Sequence, residues 1–333
     1  MKNNRFLIIA VVVLTIVVSY FIYTNNSRTI RGELSDFAVE DSAAIDKIFL
    51  ADKLGHTSLL TRVSSTQWQI GEYIARQDAV NNLLFTLKKM TVKAPVAKSM
   101  QPKVLKDMSG IGQRKIEVYS KGRLLKTIFV GVETTDKMGT YMLIEGSSVP
   151  FEVHIRGHRG FLQSRFITDD RLWRDPAIFK YDYRDIRKIT VNYPELPQQS
   201  FAVSYDGKMP SLQVAGRSVA ADSLRLFEYL NTYKSVVYEY IVSETFPEAT
   251  KDSILMSRPF VQIAVTDKAG KTNSIQGFRR AAGPDETDPD GNPLKFDLDR
   301  MYGNLNGKDF LLVQYYQFDR LLKEPSWFVN NSK

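Results

Sequence analysis

Cysteine is absent from the 333 residues, which excludes a disulfide framework, a thiolate metal site, a thiol nucleophile and a lipid-bearing cysteine anchor. Histidine is almost absent, with only His56, His154 and His158. The last two stand four residues apart, a spacing that makes a metal site only on a helix with further ligands, and Gly157 and a strand-like pattern surround them. No serine sits in a nucleophile elbow with a histidine and a carboxylate to serve it. Gly110-Ile111-Gly112 lacks both the third glycine and the preceding strand of a dinucleotide loop. Glu286, Asp288, Asp290, Gly291 and Asp297 fit positions of a calcium loop. Pro289, Pro293 and strand-like flanks make a polar turn the better reading. The expectation is therefore a protein with no catalytic residues, no cofactor and no metal, and not an enzyme.

A chain with 43% hydrophobic and 25% charged residues has the composition of a folded protein and the length of about two domains. Residues 6–23 form an uncharged apolar run whose 18 residues would reach about 27 Å as a helix, close to the hydrocarbon thickness of a bilayer. It ends in Tyr20, Phe21 and Tyr23, aromatics suited to a membrane interface rather than the small residues of a cleavage site. Lys2 and Arg5 precede the run, while Arg28 and Arg31 behind it are offset by Glu33 and Asp36. Positive-inside bias then predicts residues 1–5 in the cytoplasm, 6–23 as a single-pass inner-membrane anchor, 24–43 as a linker and the bulk of the chain in the periplasm.

Behind the linker, the pattern of residues 44–180 returns in 181–329. Asp46 to Leu50 and Arg187 to Val191 are alternating runs suited to half-buried strands, followed by Leu59 to Val63 and Phe201 to Tyr205, then by Trp68-Gln69-Ile70 and Leu212-Gln213-Val214. Val80, Leu83, Leu84, Leu87 and Met90 recur at helical spacing after Asp78 as a cap. Leu224, Phe227, Leu230 and Tyr233 do so after Asp222. Further strands follow around Lys121-Gly122 and Ala269-Gly270, with a polar insertion at 282–293 in the second copy. The fold class expected is α+β: two tandem modules of mostly antiparallel strands, each with one main helix packed on its sheet, preceded by one transmembrane helix.

The ends of the modules also correspond. Asp170-Arg171-Leu172-Trp173-Arg174-Asp175-Pro176 with Phe179 answers Asp319-Arg320-Leu321-Leu322-Lys323-Glu324-Pro325 with Phe328 at a constant offset, 170 against 319. A motif that closes both copies is structural: the prolines stop a helix, and Arg171 and Arg320 pair with neighbouring carboxylates. Together with Trp68-Gln69-Ile70, Lys93-Ala94-Pro95-Val96, Val130-Gly131, Gly139-Thr140-Tyr141-Met142-Leu143, Pro150 to Ile155 and Leu172 to Asp175, the chain resembles the DUF4340 family of uncharacterised envelope proteins. That resemblance implies a membrane-tethered protein, in some relatives associated with a transport system linked to gliding motility, and supplies no catalytic residues.

Charge is unevenly spread. Between Lys88 and Lys126 there are eleven lysines and arginines against Asp107 and Glu117. The cations Lys88, Lys89, Lys93, Lys98, Lys103 and Lys106 mark a contact surface for an acidic partner, an envelope polymer or anionic lipid head groups, against the ordinary reading of a solvated face. Nucleic acid is not expected, since aromatics do not interleave with the basic run. Tyr229, Tyr233, Tyr238 and Tyr240 suggest a strand edge or packing between the two modules rather than an exposed contact surface. The function expected is a non-enzymatic protein-binding or scaffold module that serves a membrane transport or gliding-type assembly, with polymer or lipid binding through 88–126 as the alternative.

Overall fold

Apolar residues alternate through Lys47–Asp52, and in the computed structural model this segment is strand β1, with Ile48 and Leu50 fully buried on one face. The same alternation builds β2 (Thr57–Arg62) and β3 (Trp68–Ile70), and the two-residue β4 (Tyr73–Ile74) pairs with β3. Helix α1 (Gln77–Lys89) follows, then β5 (Met90–Pro95), a short helix α2 (Gln101–Met108), β6 (Arg114–Ser120), β7 (Arg123–Glu133), β8 (Thr140–Ile144) and β9 (Phe151–Ile155). The described residues are 13–20, 35–242 and 245–329. They divide into two units between Asp175 and Pro176.

All nine strands of the first unit form one antiparallel sheet in the order β4-β3-β2-β1-β6-β7-β8-β9-β5. The order explains the helices. After β4 at one edge, α1 carries the chain across the apolar face to β5 at the other edge, and α2 then returns it over the opposite face to β6 in the middle. Val80, Leu83 and Leu87 of α1 are fully buried against Ile48, Leu50, Ile116 and Ile128, roughly 1.5–3 kcal/mol for each side chain removed from water.

The second unit has the same order. It comprises β10 (Ala177–Phe179), β11 (Ile186–Asn192), β12 (Phe201–Tyr205), β13 (Pro210–Val214), β14 (Arg217–Val219), α3 (Ser223–Asn231), β15 (Val236–Val237), β16 (Tyr240–Ile241), α4 (Glu248–Met256), β17 (Val261–Asp267), β18 (Thr272–Ala281), β19 (Phe296–Leu305), β20 (Asp309–Gln314) and α5 (Tyr315–Phe318). Its large sheet runs β14-β13-β12-β11-β17-β18-β19-β20-β16, and β10 pairs separately with β15. Asp222 caps α3 by accepting from Leu224 N at 2.8 Å. In α1 the cap position is Arg76 rather than Asp78, and Asp78 forms an ion pair with Arg76 at 2.8 Å.

These findings correct the expected fold class. The architecture is two large antiparallel sheets in which helix is a minor component, rather than two tandem α+β modules preceded by a transmembrane helix. Strands as short as β4 and β16 carry too little periodicity to be seen in sequence and exist because a neighbour supplies their hydrogen bonds. No helix among the described residues is long and apolar enough to cross a membrane. Of the run 6–23, only 13–20 is described, as an exposed helix about 12 Å long, and the rest lies outside the described residues. So do residues 1–5 and most of the stretch 24–43.

The ends of the units also pair differently from the sequence alignment. Trp173 O accepts from Arg76 N at 2.7 Å, just before α1, and Phe328 O accepts from Asp222 N at 2.8 Å, just before α3. Each aromatic ends a four-residue 3-10 turn, Asp170–Trp173 or Pro325–Phe328, and each is fully buried. Trp173 therefore corresponds to Phe328, not to Leu322. Phe179 belongs to the start of the second unit, where its counterpart is Phe37: Tyr181 N donates to Tyr233 O at 3.0 Å as Val39 N donates to Leu87 O at 2.8 Å. A constant offset in sequence had matched charges and prolines while missing the buried aromatic that the architecture requires.

Inside the second unit, Tyr229 and Tyr233 are wholly buried, their hydroxyls 2.8 Å apart, and Tyr229 Oη donates to Leu321 O at 2.9 Å. Burial pushes both phenols up in pKa, so they remain neutral, and Tyr229 ties α3 to the 3-10 turn Asp319–Leu321. Tyr229→Phe leaves the Leu321 carbonyl without this partner, and denaturant unfolding should register a loss of about 1–3 kcal/mol.

Candidate binding site

Helix α2 is short, has Pro102 in its first turn and lacks a side-chain cap, so its own propensity cannot sustain it. Packing does. Val104 and Met108, four residues apart, turn inward with Val96 and Tyr141 to form a second small core on the sheet face opposite α1, completed by Phe129, Val132 and Leu143. Gly131 makes the close approach possible, because a Cβ there would lie 2.5 Å from Met108 Cγ and 3.0 Å from Tyr141 O. Gln101 Nε2 fastens the start of the helix to Val96 O at 2.9 Å.

Between α2 and the β7–β8 hairpin lies a groove of about 370 Å³, with Met100, Lys103, Val104 and Asp107 on the helix side and Val132, Glu133, Thr134, Thr135, Lys137 and Tyr141 on the sheet side. Asp136 organises the hairpin loop. It accepts from Thr134 Oγ1 at 2.5 Å and Met138 N at 2.9 Å, and it receives Lys93 Nζ at 2.8 Å. The Lys93 bond, then the Thr134 bond, hold its carboxyl well below the usual carboxylate range, and the same contact raises Lys93.

The structure does not gather the expected cations into one patch. Lys93 is committed to Asp136 and Glu152, Lys115 to Glu117 at 2.6 Å and Lys126 to Asp36 at 2.9 Å. Arg114 donates to Gln163 O. Lys88 and Lys89 are exposed at the end of α1, while Lys98, Lys103 and Lys106 are exposed on and just before α2. Among the described residues these five have no carboxylate within ion-pair distance. The segment is thus part ion-paired scaffold and part open cationic face. Spacing along the chain could not separate the two, because Asp136, Glu152 and Asp36 arrive from distant segments.

The other singled-out residues serve the scaffold. Arg171 makes a two-pronged pair with Asp169 at 2.9 and 2.8 Å, which lowers the Asp169 pKa. Arg320 donates to Ser235 O. Asp175 N donates to Ile74 O at 2.8 Å, Pro176 O accepts from Tyr238 N at 3.0 Å, Glu324 precedes the final 3-10 turn and Pro325 opens it. His56 bonds Asp52 at 2.9 Å, His154 lies in β9 and His158 contacts Arg165 at 3.4 Å. Asp288 accepts from the backbone of Asp290 and Asn292 across its own turn, and Asp297 pairs with Arg280. Among the described residues, no group of three or more His, Cys, Asp or Glu is placed to hold a metal ion.

The groove residues Val132, Thr134, Thr135 and Tyr141 were not expected as a site. Their only trace in sequence is Tyr141, within the Gly139-Thr140-Tyr141-Met142-Leu143 stretch that carries the family resemblance.

Comparison with known families matches residues 68–247 to a family described as a domain of unknown function, DUF4340, from β3 in the first unit to the segment before α4 in the second. No curated protein matches. The match spans more than half of the chain, and the chain belongs to that family.

Two outcomes follow from this geometry. Gly131→Ala forces Met108 outward and should cost about 1–3 kcal/mol as an overpacking change, with hydrogen exchange in 101–108 accelerating more than in α1. The Asp136 carboxyl is lowered on folding, so its stabilisation of 134–139 is present above its ordinary value of 3.8 and disappears as pH falls through the lower folded value. Amide exchange should find this loop still protected at pH 4, and Asp136→Asn should remove that protection at every pH.

Proposed function

For a member of this family we propose a non-enzymatic binding module of the bacterial envelope, held at the inner membrane with its bulk in the periplasm. It docks a protein partner of a membrane transport or gliding-type assembly through the α2 face of the first unit. The observation that carries the reading is the coincidence of exposed Lys98, Lys103 and Lys106, on and just before α2 and without carboxylate partners among the described residues, with a groove of about 370 Å³ lined by that helix. Apolar groups at Met100, Val104, Val132 and Tyr141 offer an anchor for a partner side chain, and the lysines around them complement an acidic rim. Membrane placement is supported by the hydropathy and flanking charges of residues 6–23 in the sequence. The same lysines favour a second reading, in which anionic lipid head groups or an acidic envelope polymer occupy the face.

The test is crosslinking in intact cells followed by purification of the tagged full chain and mass spectrometry, run beside a Lys98→Glu, Lys103→Glu, Lys106→Glu variant. A fixed set of inner-membrane proteins should accompany the wild type and fall at least tenfold with the variant. Equal recovery from both would remove the α2 face from the proposal. Salt-sensitive sedimentation with phosphatidylglycerol vesicles, lost in the variant while no protein co-purifies, would transfer it to the second reading.

A further inference from the structure

The two units differ where α2 docks. Strand register equates Lys115, Phe129 and Leu143 across β6, β7 and β8 with Gln262, Gln276 and Asn304 across β17, β18 and β19. In the first unit Phe129 and Leu143 lie under α2. In the second, amides replace them, and α4, which occupies the same place in the chain order, has no buried residue and leaves Met256 87% exposed. Phe278 stands where Gly131 admits Met108, so the space that receives the helix in one unit is filled from the sheet in the other.

The uncovered face holds a hollow of about 350 Å³ whose lining residues are all uncharged, in a chain of formal net charge +8. Asn192, Gln262, Gln276 and Asn304 form one row of neighbouring carboxamides across four strands, about 14 Å at the usual strand spacing. Thr190 and Ser274 form the polar part of the adjacent row. Asn304 Nδ2 donates to Gln276 Oε1 at 3.3 Å. Among the described residues the side chains of Gln262, Asn192 and Thr190 have no hydrogen-bond partner. A carboxamide offers donors and an acceptor side by side, the complement of neighbouring hydroxyls, and a neutral lining imposes no preference for an ion.

We propose that this row is a binding site for a neutral glycan, with the four carboxamides reading ring hydroxyl or acetamido groups along about two or three sugar residues. The volume lies at the lower end of the ~300–1,000 Å³ of small-ligand pockets. The site is separate from the cationic face of the first unit and does not depend on it.

The experiment is isothermal titration of the full chain with chitotetraose and cellotetraose, beside an oligogalacturonate tetramer as the anionic comparator. At least one neutral tetramer should bind saturably. Gln276→Leu and Asn304→Leu should each weaken it tenfold or more, while Lys103→Glu with Lys106→Glu leaves it unchanged. Gln262→Ala tests the same row with a smaller change should a leucine variant fail to fold, and the same loss is expected. The proposal is overturned if neither neutral tetramer binds, if only the anionic one binds, if the amide variants bind like the wild type, or if an uncharged tetra-alanine peptide displaces the sugar.

Discussion

Each unit depends on a single amphipathic helix crossing the apolar face of its sheet. Val80, Leu83 and Leu87 in α1, and Leu226, Tyr229 and Leu230 in α3, are fully or almost fully buried. The helix is both the lid of the core and the only route from one edge of the sheet to the other. Once it crosses, the next strand must pair at the far edge, and the chain must return over the opposite face to place β6 beside β1 and β17 beside β11. The aromatic closing turn then secures the helix start, through Trp173 O in one unit and Phe328 O in the other. These contacts hold backbone polar groups and apolar side chains together, so their loss would open the core rather than a surface loop.

The returning segment is where the units diverge, and divergence there has a physical cause in the side chains it meets. A helix of eight or nine residues is marginal unless an apolar face is buried. Phe129, Leu143 and the gap at Gly131 supply that face to α2. Gln276, Asn304 and Phe278 withhold it from α4. One common strand order thus supports a covered face bearing cations and an uncovered face bearing carboxamides. The two surfaces differ in character, one cationic and one uncharged.

Ion pairing sorts the basic segment in a comparable way. Asp136 draws Lys93 into the hairpin that shapes the groove, Asp36 engages Lys126, and Glu117 engages Lys115. What stays open to solvent is the subset at the end of α1 and on and just before α2. Exposed pairs of this kind contribute little to stability individually, and their consequence here is to position a loop and to limit how many cations stay open.

The sequence by itself determined the strands around Ile48, Ile189, Ile116 and Ile263, the presence of the two main helices and the Lys121-Gly122 and Ala269-Gly270 turns, but in α3 it is Leu226, Tyr229 and Leu230 that are buried while Leu224 of the expected apolar face is exposed. Alternation, helical spacing and turn chemistry are local and survive without knowledge of neighbours. It also disclosed the Lys88–Lys126 charge excess. Only the tertiary structure decided that nine strands make each large sheet, because two-residue strands such as β4 are defined by their partners. It decided that Trp173 answers Phe328, since equivalence there lies in which carbonyl meets the helix start rather than in matching letters. It also decided which lysines are spent on distant carboxylates and which amides line one row, because lateral order in a sheet joins residues far apart in the chain.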